Sequence, residues 1–109
     1  MRVLLDECVP IALRELLHAT AIETVEFRGW KGWVNGRLLR AAAETGFDVV
    51  VTSDREMYGH ADVSVLGIAL VVLPTNRLAT LKTMTGSIQA TIDAARPGSI
   101  LHVDPRATR

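Results

Sequence analysis

The sequence lacks several features that would place the protein outside the cytosol. Cys8 is its only cysteine, so no disulfide can form within the chain, and the composition suits a reducing compartment. The longest apolar stretch, residues 63–74, is too short and too interrupted to cross a bilayer. An acidic pair ends the first apolar stretch after five residues, which argues against a signal peptide. We therefore expect a soluble, cytoplasmic protein with no membrane partner.

The sequence also lacks an excess of charge of either sign. Twelve basic and twelve acidic residues cancel, so any nucleic-acid interface must be a local basic patch. With 49% hydrophobic and 22% charged residues, the composition is that of a globular chain and excludes disorder. The 109 residues suffice for one hydrophobic core. We expect a single domain over residues 1–104, followed by a polar tail over residues 105–109.

Segments with the periodicity of strands and of helices alternate along the chain. A helix is predicted after Pro10, with an end near Ala19, and a second begins after the N-cap Asn35 and ends before Gly46. The third covers residues 77–95. The alternation predicts an α/β fold in which a parallel sheet is covered by helices on both faces. Predicted strands cover residues 2–6, 23–27, 47–52, 66–74 and 99–103.

Two of the strand-like segments end on acidic residues. Asp6 and Glu7 follow the first strand, and Asp54 follows the third, with Glu56 two residues further on. Neighbouring parallel strands would bring these acids together at one edge of the sheet, where open α/β folds have their sites. Because clustered carboxylates repel one another, a hard divalent cation would relieve the repulsion, and the pattern predicts a magnesium or manganese site. The alternative is that Asp6 and Asp54 only cap the helices that follow them.

The segment 28–40 contains four cations and no acid, with two tryptophans between the cations. Single-stranded RNA is held by cations that neutralise phosphates, beside aromatic rings that stack on bases. The alternative is a solvated loop that two tryptophans pin to the core. Arg55, which stands between two acids, could contact a phosphate or pair with Glu56. The candidate RNA-binding residues are Arg28, Trp30, Lys31, Trp33, Arg37, Arg40 and Arg55.

The same motifs resemble those of the small PIN-like domain family. The resemblance rests on Leu5-Asp6-Glu7 before a helix, on the helix start Asn35-Gly36 with Leu38-Leu39, and on the strand end Val51-Thr52-Ser53-Asp54-Arg55-Glu56. It covers nearly the whole chain. It implies a PIN-like three-layer fold with a central, mostly parallel, five-stranded sheet flanked by helices. It also implies a metal-dependent ribonuclease, of the kind often encoded as a toxin beside a small helical antitoxin.

The resemblance implies roles for particular residues. Asp6, Glu7, Asp54 and Glu56 would be catalytic, and Asp6, Asp54 and Glu7 would bind Mg²⁺ or Mn²⁺. Asn35 stands where the family usually has an acid. Its carbonyl can coordinate a cation but brings no charge, so a second metal position would be weakened. The implied partners are RNA and a cognate antitoxin.

Other classes of function stay open. A weakened PIN-like module would bind RNA or protein without useful cleavage, which the missing acid at Asn35 favours. A phospho-receiver domain also has acids after its first and third strands, and Thr75 lies where such domains keep a hydroxyl. However, the region after the fifth predicted strand has no lysine, which receiver domains need. Separately, the predicted helix 77–95 has an uncharged, threonine-rich face that predicts association with an antitoxin or a second copy.

Overall fold

The computed structural model describes residues 1–57 and 63–104, with the backbone alone at Asn35. Five strands form one sheet in the order β2-β1-β3-β4-β5, and every pairing of neighbouring strands is parallel. The predicted α/β fold is therefore confirmed. The strands are β1 (Arg2–Leu5), β2 (Ala21–Thr24), β3 (Val49–Thr52), β4 (Ala69–Val72) and β5 (Ile100–His102).

Helices cover both faces of the sheet. A 3₁₀ helix (Ile11–Leu16), α4 (Leu78–Lys82) and α5 (Thr85–Ala94) contribute to the core on one face, and α1 (Val25–Arg28), α2 (Asn35–Thr45) and α3 (Val63–Leu66) to the core on the other. Successive side chains of a strand point to opposite faces, so Val3 and Leu5 join the first core and Leu4 joins the second. Of the helices in the described ranges, none has the length and apolar character needed to cross a bilayer.

The second strand begins two residues and ends three residues earlier than predicted. The strand ends at Thr24, whose hydroxyl accepts a hydrogen bond from the Phe27 N–H at 3.0 Å. A threonine in this position caps the short helix α1, so the backbone cannot continue as a strand to Phe27. The weak alternation of the segment concealed this change from strand to helix.

The predicted helix 77–95 is two helices, α4 and α5. The hydroxyls of Thr83 and Thr85 donate to the carbonyls of Thr80 and Lys82, at 2.7 and 3.0 Å. Such local side-chain bonds compete with the helical backbone pattern, which explains the break.

The helix predicted after Pro10 is a 3₁₀ helix in which Leu13 is buried and Ile11 is 55% exposed.

The helix α2 begins one residue earlier than predicted. Asn35 is its first residue, and Val34 occupies the N-cap position. The predicted end is confirmed, because Gly46 adopts a left-handed conformation with φ of 96°. A side chain at Gly46 would also meet the Arg2 guanidinium, whose Nη1 is 2.9 Å from the position of a Cβ. The side chain of Asn35 and the predicted tail 105–109 lie outside the described parts.

Candidate functional site

The carboxyl ends of β1 and β3 form the centre of the candidate site. These strands are neighbours in the sheet. From β1 the chain continues to β2 on one side, and from β3 it continues to β4 on the other side. In open α/β sheets such a point opens a crevice in which ligands bind. The Asp6 N–H donates to the carbonyl of Val51 at 2.9 Å, so the chain leaves β1 still hydrogen-bonded to β3.

Asp6 is a buried carboxylate held by uncharged donors. The residue is only 7% exposed. The Thr52 hydroxyl donates to Asp6 Oδ2 at 2.7 Å, and the Glu7 N–H donates to Asp6 Oδ1 at 2.9 Å. The Cys8 thiol donates a weaker bond to Oδ2 at 3.5 Å. Both salt bridges among the described residues involve Glu23, so none of them neutralises the charge on Asp6.

Thr52 connects Asp6 to Asp54. Its fully buried hydroxyl donates to Asp6 and accepts the N–H of Asp54 at 3.0 Å. Asp54 Oδ1 in turn accepts the N–H of Glu56 at 2.9 Å. The structure therefore brings the two predicted acids to the same edge of the sheet through one bridging hydroxyl.

The donor set at this edge suits a hydrated divalent ion. Within residues 1–57 and 63–104, no three histidine, cysteine or acidic side chains are grouped closely enough to hold a metal. Mg²⁺, however, usually keeps several waters and is bound through one or two carboxylates. Asp6 and Asp54 provide two carboxylates, and Asp6 lacks an ion-pair partner in the described parts.

The segment 28–34, hereafter the Trp loop, lies against the same edge. Glu7 Oε1 accepts the N–H of Gly32 at 2.9 Å. The tip of the loop is a turn in which the Trp33 N–H donates to the Trp30 carbonyl at 3.1 Å. Gly32 is the third residue of that turn and has φ of 83°, a conformation that glycine adopts without strain.

The two tryptophans anchor the Trp loop to the core. Their rings stack with centroids 5.3 Å apart, and Trp30 meets Phe47 edge-on at 6.3 Å. The Arg37 guanidinium lies 3.8 Å from the centroid of the Trp33 ring. Both tryptophans are half-buried, whereas Lys31, Arg37, Arg40 and Arg55 are exposed.

Arg28, another predicted RNA contact, pairs with an acid inside the structure. Its Nε lies 2.8 Å from Glu23 Oε1 and its Nη2 lies 3.1 Å from Glu23 Oε2. Arg2 Nη2 reaches the same Oε2 at 3.4 Å. The hydrogen bond from Arg28, assisted by the charges of both arginines, holds the pKa of Glu23 below its ordinary range, although partial burial opposes this. Arg28 therefore fastens the start of the Trp loop to β2.

Sequence reasoning did not identify Thr52, Glu23 or Gly32 as parts of the site. Thr52 had a usable signal, because it is a hydroxyl residue that ends an apolar strand two positions before Asp54. For Glu23 the sequence contained a weaker signal, which was the presence of Arg28 five residues later. Cys8 packs against the core, and its sulfur also accepts the Ser53 N–H at 3.4 Å.

Comparisons of the chain with models of protein families, with curated proteins and with solved structures gave no match.

Proposed function

We propose that the protein is a metal-dependent, PIN-like ribonuclease that hydrolyses phosphodiester bonds of single-stranded RNA. The observation that supports this most is the buried Asp6 carboxylate, which Thr52 joins to the backbone N–H of Asp54 and whose donors, among residues 1–57 and 63–104, are all uncharged. A buried carboxylate without a positive partner carries a large desolvation cost, which a bound cation would offset. In the toxin form of this proposal, the cognate antitoxin or a second copy is the protein partner.

Asp6 and Asp54 are the proposed ligands of Mg²⁺ or Mn²⁺, with Glu7, Glu56 and Asn35 as further proposed contributors. Such an ion, when bound, makes a coordinated water a stronger nucleophile and stabilises charge on phosphoryl oxygens. Thr52 fixes the orientation of the Asp6 carboxylate. Glu56, which is exposed and whose N–H donates to Asp54, is the proposed acceptor of a proton from an attacking water.

The Trp loop and the start of α2 are the proposed RNA-binding surface. Lys31, Arg37 and Arg40 are exposed cations, and the contact between Glu7 and Gly32 joins the loop to the acidic edge. Because Trp30 already stacks on Trp33, the planar guanidinium of Arg37 above Trp33 is the better candidate for stacking on a base.

The strand order is also that of phospho-receiver domains. The region after β5 has Val103 and Asp104, and the last lysine of the sequence is Lys82, before that strand. The ribonuclease proposal therefore remains preferred, since a receiver site needs a lysine in this region.

RNA cleavage by the purified protein tests the proposal. The substrate is an unstructured oligoribonucleotide, incubated with Mg²⁺ or Mn²⁺, and the matched control is Asp6→Ala. We expect the parent protein to cleave the RNA only when metal is present. In Asp6→Ala the cleavage rate should fall by more than the roughly 10- to 100-fold loss that follows removal of an outer-shell partner of a metal ligand. Asn35→Asp should raise the rate if a missing carboxylate limits a second metal position.

The second candidate is a binding module without useful catalysis. It is favoured by the lack of a three-residue metal-binding group within the described part of the chain. Cleavage no greater than that of Asp6→Ala with either metal, not rescued by Asn35→Asp, would contradict the ribonuclease proposal. Retained oligonucleotide binding in the same samples would then support the binding module.

A further inference from the structure

Glu7 differs from its neighbour Asp6 in both exposure and contacts. Asp6 is buried and bonded to β3, whereas Glu7 is exposed and bonded to the Trp loop. Its Oε1 accepts the N–H of Gly32, which lies 25 residues further along the chain. Glu7 thus joins the end of β1 to the tip of the Trp loop.

The bonded N–H belongs to the tip of a turn. The turn is closed by the bond from the Trp33 N–H to the Trp30 carbonyl, so the Gly32 N–H is not needed to close it. At Gly32 a Cβ would meet no atom within 4 Å, so the glycine is there for its backbone conformation and not for lack of space. A carboxylate that accepts such an N–H forms a charge-assisted hydrogen bond.

Other contacts of the loop with the described residues are made by Arg28, Trp30 and Trp33. Arg28 fastens the start of the loop to Glu23, and Trp30 and Trp33 pack against the core beneath α2. The tip between the tryptophans, which includes the exposed Lys31, is tied to the acidic edge by the Glu7 contact. That bond links the tip directly to the residue next to Asp6.

We infer that Glu7 is a positioning residue, which holds the tip of the Trp loop at a fixed distance from the Asp6 carboxylate through its hydrogen bond to Gly32. This role uses Oε1 and leaves Oε2 for the proposed cation. The positioning itself follows from the fold, whereas its consequence for RNA rests on the proposed function. The acid-to-amide change separates the two roles, because glutamine keeps the acceptor oxygen and loses the charge.

Tryptophan fluorescence gives a direct measurement, because Trp30 and Trp33 are the only tryptophans in the sequence. The parent protein, Glu7→Gln, Glu7→Ala and the control Glu15→Ala are compared for quenching by acrylamide without metal or RNA. Glu15 is an exposed acid on the 3₁₀ helix, which packs on the opposite face of the sheet. Circular dichroism confirms that each variant is folded.

Affinity for a labelled single-stranded oligoribonucleotide is measured in the same four proteins, in the presence of EDTA. We expect Glu7→Ala to be quenched more strongly and to bind RNA about two- to tenfold more weakly than Glu7→Gln, the range set by one ordinary hydrogen bond. Glu7→Gln and Glu15→Ala should stay close to the parent in quenching.

Equal quenching of Glu7→Gln and Glu7→Ala overturns the inference. If quenching separates these two variants while no protein, the parent included, binds the oligonucleotide, the positioning role stands and the RNA-binding part of the proposed function fails. If the parent binds RNA but quenching does not separate the variants, the positioning role fails and RNA binding stands.

Discussion

Glu23 and Asp6 are two shielded acids at neighbouring strands of one sheet, and their surroundings differ in charge. The Glu23 side chain, 19% exposed, is bound by the guanidinium groups of Arg28 and Arg2. The Asp6 residue, 7% exposed, is bound by a hydroxyl, a backbone N–H and a thiol. The fold therefore neutralises the Glu23 carboxylate itself, whereas the described part of the chain offers Asp6 uncharged donors only.

This difference separates a structural acid from a candidate functional one. Neutral donors stabilise a buried carboxylate but do not cancel its charge, whereas an arginine does both. The region around Glu23 is complete without a ligand, since both carboxylate oxygens have cationic partners. The region around Asp6 would gain from a cation, and it lies at the crevice where α/β folds bind ligands.

We expect the largest effect, a loss of metal affinity, from substitution of Thr52, whose hydroxyl donates to Asp6. Thr52→Val removes the hydroxyl that orients Asp6 and accepts the Asp54 N–H, without a large change in volume. We expect the affinity for Mn²⁺, measured by calorimetry, to fall about 10- to 100-fold, as when other outer-shell partners of metal ligands are lost. Thr52→Ser keeps the hydroxyl and is the matched control.

An unchanged Mn²⁺ affinity in folded Thr52→Val would show that the bridge between the two acids has no part in binding. A fall of equal size in Thr52→Ser would indicate that packing, and not the hydroxyl, explains the effect.

The next prediction compares the stability of two variants in which Glu23 or Asp6 is changed to the corresponding amide. Glu23→Gln leaves two arginines without their carboxylate and should lower the free energy of unfolding by about 1 to 3 kcal/mol. Asp6→Asn relieves the desolvation cost of a buried charge that has no cationic partner among the described residues, and this gain offsets the acceptor oxygen that the amide loses, so without metal it should lower the free energy of unfolding less than Glu23→Gln does. Urea denaturation in EDTA measures both. A larger loss in Asp6→Asn than in Glu23→Gln would reverse the comparison.

A smaller effect should appear as the pH is lowered. The pKa of Glu23 is lower in the folded chain than its ordinary value of 4.5, so its ionised form stabilises the fold above that value. That contribution is lost as the pH falls below about 4.5 and through the lower folded pKa. The difference in the free energy of unfolding between the parent and Glu23→Gln should therefore shrink from pH 6 to pH 3. A difference that stays constant over this range would contradict the account of Glu23.

The fold could be predicted from the sequence because its signals are local and strong. The apolar residues of β3 and β4 and the glycine that ends α2 act over a few positions each. The acids after β1 and β3 could likewise be placed together, because parallel neighbouring strands end at the same edge. Errors arose where short-range hydroxyl bonds overrode the periodicity, at Thr24 and Thr83.

The contacts that define the site could not be predicted in the same way. The bonds from Thr52 to Asp6 and from Gly32 to Glu7 join residues 46 and 25 positions apart. The guanidinium groups of Arg28 and Arg2 both lie over the Phe47 ring. The salt bridge between Arg28 and Glu23 depends on this side-chain geometry. Composition and spacing contain no information on which of several nearby cations an acid will bind.

Thermal unfolding with and without Mn²⁺ tests most directly whether the Asp6 region binds a cation. At a 100-fold excess of free ion over its dissociation constant, binding to the native state alone stabilises by about 2.7 kcal/mol, which raises the Tm by about 10 °C. We predict this rise for the parent and for Glu15→Gln, and its loss in both Asp6→Asn and Asp54→Asn. An unchanged Tm of the parent in saturating Mn²⁺, or an equal rise in Asp6→Asn, would contradict the account.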